Sequence, residues 1–331
     1  MYKDKTMKKY LLLLLASTFP LCASQALAEQ TISYAKKNIE VVIPKNPGGG
    51  TDTSVRTLIE YAKDRLPKGV IFVPVNKPAG NGITGLIEVA RAKPDGYKLV
   101  MTTVELAMFP YQNKSPVTYK DFTPLVTTIA DPVAIVVKAD SGYNTLEAFI
   151  DAAKQQPGKF KVGNSGMGAI YHLAAVNVEK NTGAKFNHIP YNEGTGPSIA
   201  ALVGGHIDAV FTTPGSVKSQ VDAGILSVLA VMDEKRFELF PDVPTVKEAL
   251  NLDFNVKMRA WAVLATTAKV PPEVTDQLVK AFTDVINDPA YQDAVKKQGI
   301  MPVSIVGQNA YKMMQEDDEM YKQLIADTLK K

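Results

Sequence analysis

Residues 48–52, Gly-Gly-Gly-Thr-Asp, follow the apolar run at 39–43 and the segment Pro44-Lys45-Asn46-Pro47, and they open into a helical pattern. Gly48, Gly49 and Gly50 let the backbone take positive φ and approach a ligand closely. Thr51 or Asp52 carries a side chain able to cap the helix that follows. A helix start presents unsatisfied N–H groups and partial positive charge, so the chemistry on offer is capture of an anion, carboxylate or phosphate. The same residues serve equally well as a tight strand-to-helix turn, and this stretch alone does not separate the two readings.

A second segment of the same kind is Gly163-Asn164-Ser165-Gly166-Met167-Gly168-Ala169, again between a strand pattern and a helix. It falls short of a serine nucleophile elbow, because Met167 stands where G-x-S-x-G needs its last glycine. A secreted hydrolase using Ser165 with His172 is therefore the weaker alternative, with no clear acid partner. An anion-binding turn fits better and would face the first as an opposite jaw. Gly80-Asn81-Gly82-Ile83-Thr84-Gly85 matches G-x-G-x-x-G, with Glu105 twenty residues on. It follows the second strand of its unit and has Pro78 beside the turn, so a further backbone-rich loop with Gly80 and Asn81 is favoured over a dinucleotide site. His172, His188 and His206 lack ligand spacing, so neither a metal nor a cofactor is expected.

The elements that must hold these loops alternate. Strand-like runs at 39–43, 70–75 and 97–102 are separated by helical patterns at 51–65 and 82–92, and 110–121 reads as loop. A second set follows: strands at 133–137, 161–164, 186–189, 207–211 and 227–232, with helices at 145–155, 170–182 and 198–203. Such alternation implies βαβ units, mostly parallel sheets and two α/β lobes. Residues 236–245 read as an irregular link, 260–265 as one more strand, and 272–287, 289–298 and 308 onward as helices returning to the first lobe.

Met7-Lys8-Lys9-Tyr10, the leucines at 11–15 and Ala26-Leu27-Ala28 have the three regions of a secretory signal peptide, cleaved after Ala28. The leader takes four lysines and one aspartate, leaving 33 basic and 33 acidic residues. That balance, without basic runs, argues against nucleic acid or a membrane surface as partner. Cys22, the only cysteine, leaves with the leader, which excludes disulfides, a thiol nucleophile and a cysteine metal site.

In this order the motifs resemble the substrate-binding proteins of tripartite tricarboxylate transporters, the Bug receptors. The resemblance runs through Pro44 with 48–52 and Arg56; Asn76-Lys77-Pro78-Ala79-Gly80; Pro94-Asp95-Gly96-Tyr97; Gly166-Met167-Gly168 with His172-Leu173-Ala174; His188-Ile189-Pro190-Tyr191; residues 202–208; Leu229-Ala230-Val231; Arg236 with 241–245; and Trp261. It implies a two-lobed periplasmic binding protein of Venus-flytrap, type II-like architecture that closes on a small organic acid. Loop backbone from both lobes would hold the ligand, placing Tyr191 nearby, and membrane permease subunits would receive it. A sensor output through a signalling partner is the alternative. A monomer is expected, with lobe 1 formed by 29–128 and 235–331, lobe 2 by 129–234, and crossings near 127–132 and 232–236.

This chain departs from the family pattern at Lys45, where an aromatic or apolar residue is common, at Ala169, where serine is frequent, and in the order Pro78-Ala79-Gly80-Asn81-Gly82. Lys45 is open to two roles, pairing with a second polar group on the ligand or pointing into solvent.

Overall fold

The computed structural model describes residues 32–329 apart from 113, 193 and 253–256. The leader and its cleavage after Ala28 lie outside the described residues.

Among the described residues, ten strands build two five-stranded sheets. They are β1 (Ile39–Ile43), β2 (Phe72–Asn76), β3 (Lys98–Thr103), β4 (Phe122–Pro132), β5 (Ala134–Lys138), β6 (Lys161–Asn164), β7 (Asn187–Pro190), β8 (Ala209–Thr212), β9 (Leu226–Val231) and β10 (Arg259–Thr267). The first sheet runs β2-β1-β3-β10-β4 and the second β7-β6-β8-β5-β9. In each, three strands are parallel and the next runs against them: β10 is antiparallel to β3 and β4, and β5 to β8 and β9. Nearly every residue of β1, β3 and β5 is buried, the run of apolar residues expected of strands covered on both faces.

Among the described residues, ten α-helices cover these sheets: α1 (Gly50–Ala62), α2 (Ile83–Ala90), α3 (Leu146–Gln155), α4 (Ile170–Thr182), α5 (Thr195–Val203), α6 (Lys218–Asp222), α7 (Val246–Leu250), α8 (Pro272–Ile286), α9 (Pro289–Lys297) and α10 (Gly307–Leu329). In α1, Val55, Leu58, Ile59 and Ala62 recur at helical spacing and are buried, so this stripe fixes the direction in which the glycine turn is aimed. Leu278 and Phe282 of α8 and Tyr291 of α9 complete the core on the same face of the first sheet. Met314, Tyr321 and Ile325 of α10 join the cluster on its opposite face, which contains Trp261.

The sequence reading missed β4 and took 127–132 as a crossing. Pro124 and the closing Asp131-Pro132 disguise it, and they are tolerated because β4 is the edge strand, with register shifts against β10. The chain crosses between sheets one residue later. Val133 N–H donates to the Met258 carbonyl (2.8 Å), Met232 N–H to that of Val133 (2.7 Å), and Met258 N–H to that of Met232 (3.0 Å). All three residues are fully buried, and the core cluster they join extends into both lobes. From Met232 to α7 the chain stays with the second sheet: Thr245 bridges to Val231, and Val246 of α7 is buried in the same cluster as Phe149 of α3.

Candidate ligand-binding cleft

All six parallel strands send the segment beyond their carboxyl end into one cleft of about 820 Å³. The first sheet contributes residues 44–51 after β1, Pro78 and Asn81 after β2, and Thr103 at the end of β3 with Val104 and Glu105; the second contributes 165–167 and 169–171 after β6, 192 and 194–196 after β7, and Thr213, Gly215 and Ser216 after β8. Open α/β sheets bind ligands beyond the carboxyl ends of their strands. Three helices begin in these segments, α1, α4 and α5, with Gly49, Ala169 and Gly194 at the N-cap. None has a side-chain cap, a lack shared by α2, α6 and α8, while Thr145, Thr245 and Asp288 cap α3, α7 and α9. The helix starts at the cleft thus keep N–H groups for something other than their own side chains.

The first loop is braced from behind. Asp52 accepts from Gly48 N–H (2.9 Å), Arg56 Nε (2.9 Å) and Asn76 Nδ2 (2.8 Å), and Asn76 Nδ2 also reaches the Lys45 carbonyl (3.0 Å). Burial alone would raise the Asp52 carboxyl pKa, but these donors and the Arg56 charge hold it below the ordinary range. Gly82, at φ +92°, packs under the loop, and a Cβ there would overlap the carbonyl oxygen of Pro44. Gly80-Asn81-Gly82 is therefore a support for the first loop.

Lys45 turns neither to solvent nor freely into the cleft. Its Nζ lies 3.4 Å from Glu105 Oε2, and Thr103 Oγ1 donates to the same carboxylate oxygen at 2.5 Å. Burial pushes the Glu105 pKa up, but the Lys45 charge and the Thr103 hydroxyl outweigh it, so the carboxylate is held ionised.

In the opposite jaw, Asn164 Oδ1 accepts Gly166 N–H at 3.0 Å, and Gly168 N–H donates to His172 Nδ1 at 3.1 Å. Burial, then the neighbouring His188, pushes His172 down to about 4, so its ring is a neutral acceptor that shapes the loop. Two polar contacts join this jaw to the other lobe: Gln112 Nε2 donates to the Gly168 carbonyl (2.7 Å) and Lys114 Nζ to that of Met167 (3.3 Å).

Of the residues singled out from sequence, Lys45, Gly48, Gly49, Gly50, Thr51, Asn81, Ser165, Gly166, Met167 and Ala169 line the cleft. Asp52, Gly80, Gly168 and Tyr191 do not. Asp52 is only 3 % exposed beneath its loop, and both backbone groups of Gly168 are engaged. Tyr191 packs against the core that contains Ile199 and Ile207. The sequence reading overlooked Asp131, Asn192, Thr195, Thr213 and Gly299 as lining residues. Gly194-Thr195-Gly196-Pro197 was a readable helix start, while Asp131 carried no local signal.

The profile of the family described as "Tripartite tricarboxylate transporter family receptor" matches residues 54–329. The chain belongs to that receptor family. It is 31 % identical over 305 residues to the "UPF0065 protein in gbd 5'region" of Cupriavidus necator, spanning 91 % of this chain and 87 % of that protein. A solved TctC solute-binding protein from Polaromonas is 37 % identical, with a TM-score of 0.75 over 89 % of this chain and 99 % of the other. An R. palustris protein solved with adipate shares the fold at 21 % identity, with a TM-score of 0.77 over 87 % and 96 % of the two chains. Among the described residues of this tripartite-transporter receptor, no helix is long and apolar enough to cross a membrane, and no group of three or more His, Cys, Asp or Glu could hold a metal ion.

Proposed function

We propose that this receptor captures a small organic carboxylate between its lobes in the periplasm and delivers it to the membrane subunits of a tripartite transporter. The lobes follow the sheets, with the changes of lobe at Pro132/Val133 and near Met258 instead of after 128 and 234. The observation that carries the ligand class is the convergence of three helix starts without side-chain caps on one cleft. Those N–H groups and the aligned helix dipoles favour negative charge. The adipate found in the R. palustris relative belongs to the same chemical class.

The energies suit capture and release. Charge-assisted hydrogen bonds contribute roughly 1.5 to 3 kcal/mol each, so three to five approach the ~8 kcal/mol of micromolar binding once ordering is subtracted. A thermal-shift screen of mono-, di- and tricarboxylates tests the reading. Stabilisation by at least one acid supports it, and a flat response across the panel rejects it.

A further inference from the structure

We propose that Asp131 forms a cation subsite in the cleft, so that the ligand is a carboxylate that also carries an ammonium group, an amino acid. The inference rests on the carboxylate-receptor reading and narrows it.

Asp131 sits near the carboxyl end of β4, directly opposite Ala260 of β10. Alternation along the strand turns Ala130 to one face and puts Asp131 on the other with Ile129, and both Ile129 and Asp131 line the cleft. The residue is only 4 % exposed. Among the described residues, four other carboxylate residues are buried, and each has a donor. Asp52 has Gly48, Arg56 and Asn76; Glu105 has Lys45 and Thr103; Asp317 accepts Trp261 Nε1; and Asp318 accepts the Tyr111 hydroxyl. The Asp131 carboxyl receives no hydrogen bond or ion pair from the described residues. A buried charge in that condition is unfavourable unless something brings it a partner.

The surroundings indicate what that partner is. Lys45, the lysine at the cleft wall, is committed to Glu105. The phenol of Tyr171, in the first turn of α4, is raised in pKa by burial and then by the negative charges of Glu105 and Asp131, so two acids act on one neighbourhood. That field repels a second carboxylate and attracts a cation. The cleft is thus bipolar, with backbone donors for an anion in the glycine loops and an unpaired acid for a cation on β4. Burial alone pushes the Asp131 carboxyl up to about 7, and an ammonium beside it would hold it ionised.

The test measures affinities for matched acids with and without nitrogen: succinate, malate and aspartate; glutarate and glutamate; butyrate and 4-aminobutyrate; 3-phenylpropionate and phenylalanine. The wild-type protein is expected to bind the amino member of at least one set ~tenfold or more tightly than its amino-free partner, and Asp131→Asn is expected to reduce that preference to about threefold or less. The near-isosteric variant is checked for folding by circular dichroism, and the wild-type ratio stands without it. Tighter binding of amino-free or hydroxy acids overturns the cation subsite while leaving the carboxylate reading in place. Equal losses for both members in Asp131→Asn also overturn it. Failure of every acid to bind overturns the carboxylate reading and the subsite together.

Discussion

Gly215 and Gly299 meet backbone to backbone across the cleft: a Cβ on Gly215 would overlap the Gly299 carbonyl oxygen, and one on Gly299 would lie 2.8 Å from that of Gly215. The first belongs to the segment after β8 in the second sheet, the second to the turn after α9 on the first lobe. Both line the cleft, so the described state is one in which the lobes touch.

Closure should therefore depend on the absence of a side chain there. Gly215→Val is expected to hold the lobes apart and weaken ligand binding by about tenfold or more, with the unliganded melting temperature nearly unchanged. Small-angle scattering with and without ligand reads this directly. A variant that still contracts like wild type would show the contact to be incidental.

Asp52 is expected to act on the fold and, only through it, on binding. Hydrogen bonds to a charged group contribute roughly 1.5 to 3 kcal/mol each, so Asp52→Ala should lower stability by about 2 to 3 kcal/mol in urea and loosen the first loop. Because the native carboxyl is held below its ordinary pKa, its contribution is complete above the unfolded value and lost as pH falls through the native one. Urea midpoints at pH 7 and pH 3 should differ less in the variant than in wild type. An unchanged midpoint at pH 7 would mean that the brace does not hold.

Much of this cleft was legible in the sequence because glycine turns announce themselves. Gly48, Gly49 and Gly50 and the Ser165-Gly166-Met167 turn sit between a strand and a helix, and local chemistry sufficed to place them. What stayed hidden depends on distant pairing. Asp131 reads as a loop residue until β4 is seen as an edge strand against β10, and Lys45 finds Glu105 across 60 residues of chain. The triad Val133, Met232 and Met258 is likewise invisible, since each is an ordinary apolar residue until three distant segments meet. Tyr191 misled for the converse reason, an aromatic residue beside a functional loop that packs into the core.

The Lys45–Glu105 pair predicts a non-additive response. Lys45→Met leaves the Glu105 carboxylate buried without its counter-charge and should cost about 2 kcal/mol of stability. Adding Glu105→Gln should recover most of it, because the unpaired charge is then gone. A double-mutant cycle by urea unfolding checks this, and strictly additive losses would contradict the pairing.

Two buried groups give the unliganded protein opposing pH dependences. Asp131 has a native pKa of about 7, above its unfolded value, so the native state binds the extra proton and stability falls as pH rises from about 4 to 7. Asp131→Asn should therefore gain on the order of 2 kcal/mol over wild type at pH 8 and little at pH 4. His172, lowered to about 4, acts in the other direction: the unfolded chain protonates first, and stability falls as pH drops from about 6.5 toward 4. His172→Gln should flatten that limb. Thermal melts across pH 4 to 8 separate the two, and parallel profiles for wild type and both variants would contradict both assignments.

Calorimetric titration of the purified protein with the matched acids at pH 7 shows whether uncapped helix starts hold an anion in a cleft that closes. Saturable binding of at least one carboxylate at micromolar affinity is expected, abolished when Gly49 is replaced by a bulky residue. Binding of no acid in the series, or binding unchanged by the substitution at Gly49, would contradict it.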